Sequence, residues 1–289
     1  MKKSFLLLSA SLLMTLSVMA QLPELAGVSQ NFSNAPYYLP GSQAIDTTLF
    51  VVRYQFAYPR ASGSKLVSQT DVLQFEIGKR ISKTYSYNLY LLERNRTYKE
   101  KNQVKYSMYY VPYTVYGNYP SGQITEENRV PNSVMLQGAV QMISYTEPVP
   151  SMEWQLSEET DTIAGYVCQV AQCRFRGRNW KVWFTPEIPV AMNVWKFHGL
   201  PGLILRAADT TGSYKFEALE IKNEQVPILR YDYKAETKSR AAWRKLEADF
   251  YKHPANYFSQ GGKLMIMGES GKKIEPDNWT LPYDPIEIE

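Results

Sequence analysis

The 289-residue chain holds two cysteines and two histidines. Two cysteines are too few for a multi-bridge disulfide framework, and their spacing from the histidines matches no standard metal site. It contains no Gly-x-Ser-x-Gly, His-Glu-x-x-His or glycine-rich phosphate loop, so the usual signatures of serine hydrolases, zincins and nucleotide enzymes are missing. Charge of one sign is scarce as well: 32 Lys and Arg face 28 Asp and Glu, a formal charge of +4. Near neutrality gives no electrostatic case for nucleic acid or an anionic membrane surface. After the first 20 residues no apolar run approaches the roughly 20 residues of a membrane span.

What is present begins with an export signal. Lys2 and Lys3 precede an apolar stretch from Phe5 to Met19, and Val18 and Ala20 give the small-x-small exit of a signal peptide cleaved after Ala20. Residue 21 is Gln rather than Cys, so lipid attachment at the new N-terminus is not expected. Cleavage removes both lysines with the 20 residues, leaving 269 residues at +2. The expected compartment is periplasmic or cell-surface, without a lipid anchor or a transmembrane segment. There the pair Cys168 and Cys173 is a candidate disulfide. Five residues of one strand span roughly 16 Å, whereas bridged Cα atoms sit within about 7 Å, and opposite parity sends the side chains to opposite faces. A bridge therefore requires a bend within 169–172; the alternative is two separate thiols.

The 22 Tyr, 11 Phe and 6 Trp favour strands. Residues 21–45 read as an irregular leader. Thr48–Tyr58 alternates clearly, Val72–Ile77 is a second strand, and Ile81–Leu92 suits a strand or a short helix. Residues 94–103 read as a loop or solvated helix. The tyrosine-rich 106–119 reads as an edge strand and loop, with an aromatic platform for peptide or sugar as the sharper alternative. Val134–Tyr145 suggests a further strand or two. Ile163–Phe175 and Trp180–Thr185 form a hairpin, Tyr214–Ile221 and Ile228–Tyr233 are strands, and Ser239–His253 is one helix stopped by Pro254. The fold class is mainly β (α+β): one antiparallel sheet over 46–260 with a late helix, open to an analogy with half-barrel carriers. Residues 261–289 read as a loosely held polar tail.

Four ordered blocks carry a resemblance. They are Ile163-Ala164-Gly165-Tyr166-Val167-Cys168-Gln169, Arg174-Phe175-Arg176-Gly177-Arg178, Val182-Trp183-Phe184-Thr185-Pro186-Glu187-Ile188-Pro189 and Gly199-Leu200-Pro201-Gly202-Leu203-Ile204. The segment from Trp154 to Ile221 resembles the GLPGLI, or Porph_ging, family of Bacteroidota-type envelope proteins. Asn193-Val194 stands where the family pattern has Gly-Pro. The resemblance implies export and a β-rich fold, and no particular reaction.

Read as residues, Gly199-Leu200-Pro201-Gly202 is a tight turn into a buried strand, with Trp180, Trp183 and Trp195 packed nearby. His198, Gly199, Leu200, Pro201, Gly202, Trp183 and Trp195 form the candidate binding or signature loop. His253 reads as a helix-end cap. Cys168, Cys173 and His198, with Met192, Met265 and Met267, are weak soft-metal candidates in no standard spacing. No catalytic residue stands out and no cofactor is implied. The expectation is a non-enzymatic envelope binding or carrier protein for a peptide, lipid or protein partner. A copper-type metal protein is the alternative, and a hydrolase with two unrecognised carboxylates the third.

Overall fold

A computed structural model describes residues 39–98, 110–130, 141–258, 266–267, 273–275 and 278–289. Contacts divide the chain into two units, 1–30 and 31–289, and every described residue belongs to the second. The expected signal peptide and most of the leader lie outside the described residues. Among the described residues, no helix is long and apolar enough to cross a membrane.

The chain builds a large open sheet from β1 (Ser42–Ser62), β2 (Lys65–Gly78), β3 (Ser82–Ser86), β4 (Tyr113–Gly117), β5 (Gln123–Arg129), β6 (Met142–Pro148), β7 (Gln155–Ile163), β8 (Tyr166–Phe175), β9 (Arg178–Thr185), β10 (Leu203–Asp209), β11 (Lys215–Lys222), β12 (Pro227–Tyr231) and β13 (Glu236–Thr237). Its order is β13-β6-β5-β4-β3-β2-β1-β11-β10-β9-β8-β7, with β12 paired to the start of β1. All pairs are antiparallel except β13–β6. The helices are α1 (Tyr87–Tyr98), α2 (Arg240–Lys252) and α3 (Pro254–Phe258).

Period-2 alternation sorts the two faces. Val52, Tyr54 and Phe56 of β1 lie opposite Phe75, Leu73 and Asp71 of β2, and this row continues through Thr84, Val115 and Glu126. We call it the inner face. It carries the aromatic core, where Trp180, Trp195, Phe197 and Phe216 interlock at centroid separations of 5.0–6.5 Å. The outer face of the same strands carries Gln74, Glu76, Lys83, Tyr85, Tyr116 and Glu127, all buried.

Several expectations need correction. β1 begins at Ser42, inside the expected leader, because β12 pairs with residues 42–47 and satisfies their backbone groups. Ile81–Leu92 is strand and then helix, so a helix precedes the expected one; α1 buries Leu89, Leu92, Glu93 and Asn95. Tyr113–Gly117 is an interior strand between β3 and β5, not an edge; residues 106–109 of that aromatic stretch lie outside the described residues. Of 134–145, only the start of β6 is described as strand. The expected long strand from Ile163 is broken by a turn at Ala164 and Gly165, whose φ values of 51° and 87° suit a two-residue hairpin. The polar tail is not loose at its end: Glu287 is buried and residues 281–289 bond to several elements.

Candidate functional site

The signature turn is held from beneath by Asn193. Its side-chain nitrogen donates to the Gly202 carbonyl (3.1 Å) and its oxygen accepts from the Ile204 amide (2.7 Å). Gly202 has no room for a Cβ, which would overlap the Thr185 carbonyl. Gly199 takes a φ of 83°, and the preceding His198 carbonyl accepts from the Trp154 indole (2.8 Å). Leu200 and Trp195 are buried in the core, while Pro201 is exposed. Of the candidate loop, Trp195, Leu200 and Gly202 are thus buried in the closure between β9 and β10, His198 and Trp183 are half-buried, and Gly199 and Pro201 are exposed.

The remaining candidates do not converge. Trp183 sits half-buried on the outer face between Lys181 and Arg206, 5.0 and 5.3 Å from its ring. The half-buried His198 ring faces the Lys196 carbonyl (3.0 Å). His253 caps α2 and pairs with Asp249 at 2.9 Å. Cys168 and Cys173 are free, buried and on opposite faces of the unbroken β8. The bridge is thus absent, because the strand makes no bend between them. Burial raises both thiols, Cys173 to about 12, away from the thiolate form that binds metal. Among the described residues, no group of three or more His, Cys, Asp and Glu could hold a metal.

The structure builds its most concentrated chemistry around a residue the sequence reading passed over. Lys196 follows Trp195, whose φ of 58° turns the chain and whose amide donates to Thr84 Oγ1 (3.0 Å). That turn carries Lys196 to complete burial. Its Nζ lies 2.6 Å from Glu126 Oε2, 2.5 Å from Glu287 Oε1, 2.7 Å from the Tyr145 hydroxyl and 3.6 Å from Glu147. Arg176 pairs with Glu147 (2.6 Å), and Arg240 Nε donates to Glu287 (2.7 Å). Three cations thus meet three carboxylates, the balance a low-dielectric interior demands. Burial alone would lower the Lys196 pKa, but Glu126, Glu287 and Glu147 hold it above its usual value. Burial would likewise raise Glu287, but Lys196 and Arg240 depress it to about 2.

Glu287 belongs to a segment gripped chiefly by its main chain. Tyr214 donates to the Asp284 carbonyl (2.7 Å), and Arg178 Nε to the carbonyls of Pro285 (3.1 Å) and Ile286 (3.2 Å). Arg178 also pairs with the Asp284 carboxylate and with Asp209 (2.9 Å). Arg244 donates to the Glu287 carbonyl and Arg240 to that of Glu289. The Ile288 amide donates to the Arg176 carbonyl (2.9 Å). The gripping side chains come from β9, the approach to β11, and α2. Ile286 packs on the aromatic core, whereas Ile288 stays exposed. Beside the segment lies a cavity of about 30 Å³ lined by Tyr113, Glu126, Asn128, Tyr145, Trp243 and Glu287. The Tyr113 hydroxyl and the Asn128 amide nitrogen have no protein partner.

A second buried network occupies the outer face. Lys83 Nζ donates to the Leu229 carbonyl (2.7 Å) and lies 4.4, 5.2 and 5.9 Å from the rings of Tyr85, Tyr231 and Tyr116. Burial lowers its pKa despite nearby Glu76 and Glu127. Arg129 holds Glu93 and Arg230 holds Glu127. The adjoining cavity measures about 20 Å³, room for little more than a water molecule.

No family model matches this sequence, and no curated protein does. Two structures of PNGF-II, in different space groups, superpose with TM-scores of 0.47 and 0.45. Each is 14% identical over 70% of this chain, which spans about a third of their length, 33% and 32%. A likeness of that degree carries no argument about what this chain does.

Proposed function

We propose that the chain is an exported, non-enzymatic envelope protein of the GLPGLI type that binds a peptide or protein partner. The groove between the inner face of the sheet and α2 is its site. One observation carries the reading: this groove already grips one segment of the chain, 284–289, through its main chain and through one buried carboxylate. Reading the main chain with fixed donors suits a polypeptide and no other ligand class. A lipid occupant has less support, because aromatic side chains fill the inner face and both described cavities are small. The metal alternative gains nothing from two thiols on opposite faces.

Native mass spectrometry of the full mature chain and of its Glu287→Gln variant, purified from the envelope fraction, tests this reading. A copurifying peptide, enriched on the variant whose own segment is loosened, is the expected result. A lipid or copper adduct, or a clean mass for both, overturns it.

A further inference from the structure

The grip on 284–289 has the selectivity of a recognition site. Five of its six carbonyls accept from Tyr214, Arg178, Arg244 or Arg240. Main-chain bonds of this kind tolerate any side chain. Three positions are read more closely. Asp284 meets Arg178, Ile286 packs half-buried against the apolar core, and Glu287 enters the node of Lys196, Arg176 and Arg240. Ile288 and Glu289 point to solvent. Pro285 restricts φ between the first two read positions, and the chain bends at Ile286. Without Glu287, the node of Lys196, Arg176 and Arg240 against Glu126 and Glu147 keeps one positive charge in excess.

We propose that the groove recognises an Asp-Pro-apolar-Glu segment of a separate polypeptide, and that residues 284–289 are an intramolecular stand-in for it. The inference rests on the reading of the groove as a peptide site, and it names the partner's chemistry and the regulation. The tethered copy competes at an effective concentration of the order of millimolar, so the partner enters only when the copy is weakened or outcompeted. Glu287 is the anchor that sets that competition.

The test uses full-length chains and a fluorescein-labelled peptide of residues 283–289, followed by fluorescence anisotropy. The peptide should bind the Glu287→Gln chain at least about tenfold more tightly than the wild-type chain, because the internal competitor has lost its anchor. The same peptide with Glu287→Gln should fail on both. Equal, weak binding of all combinations to folded protein would overturn the inference. An Ile286→Ala chain, which loosens the tethered copy by lost packing alone, serves if the first variant does not fold and should show the same ranking. If a different peptide copurifies with the Glu287→Gln chain while the 283–289 peptide does not bind, the recognition pattern is wrong and the groove's role as a peptide site stands.

Discussion

Replacing Glu287 by Gln keeps the shape of the side chain and removes its charge. In the folded chain the group sits 2.5 Å from Lys196 Nζ and 2.7 Å from Arg240 Nε, and it is 3% exposed. Its carboxyl is depressed from 4.5 to about 2. A group depressed on folding contributes stability that is fully present above its unfolded pKa and is lost as pH falls through the folded value. The gap corresponds to about 3 kcal/mol at neutral pH, and breaking a buried pair by removing one partner costs about 3–5 kcal/mol. Urea unfolding of both chains at pH 7 should therefore differ by about 3 kcal/mol, with melting lowered by roughly 6–12 °C. Repeated down the pH scale, the difference should shrink between pH 4.5 and about 2, as acid does to the wild type what the substitution did to the variant. A loss below about 1 kcal/mol, or one that does not change across that window, would refute the assignment of Glu287 to a closed, buried ion cluster.

Lys196→Met should cost about 3–5 kcal/mol, since it leaves Glu126 and Glu287 buried without their shared cation; chemical denaturation reads this directly. Asn193→Ala strips the Gly202 carbonyl and the Ile204 amide of their shared partner, and should destabilise by about 2–4 kcal/mol in the same assay. Both cysteines should titrate as free thiols in denaturant without prior reduction and react slowly in the native protein; an intact protein with no titratable thiol would contradict the unbent β8.

The sheet was legible because its signal is local. Phe50 to Tyr58 alternate, and residues whose side chains share a face of a strand need no distant information to be recognised. The helix at 240–252 showed itself through its spacing and the Pro254 that stops it; the structure adds a cap at Ser239, whose side chain accepts from the Ala242 amide. The ionic groove was hidden for the opposite reason. Glu126 and Glu147 lie on the paired strands β5 and β6, Lys196 and Glu287 come from two further, distant parts of the chain, and each alone resembles a solvated charge. One local hint existed: Lys196 stands between Trp195 and Phe197, where an exposed lysine would be an odd neighbour. The charge pattern of the tail misled as well. Acidic, proline-containing residues suggest a solvated end, and only the arginines of β9 and α2 reveal why Asp284 and Glu287 are there. The signature loop drew attention by its composition, yet Gly199 and Gly202 answer to backbone geometry and close packing.

Both the peptide site and its regulation require the segment 284–289 to be seated in its groove. Amide hydrogen exchange of the intact chain tests that most directly, by following the Ile288 amide that donates to the Arg176 carbonyl. Exchange should be slowed at least about a hundredfold against a free peptide, with much of that protection lost in the Glu287→Gln chain. Exchange at the free-peptide rate, while the amides of β9 stay protected, would contradict it.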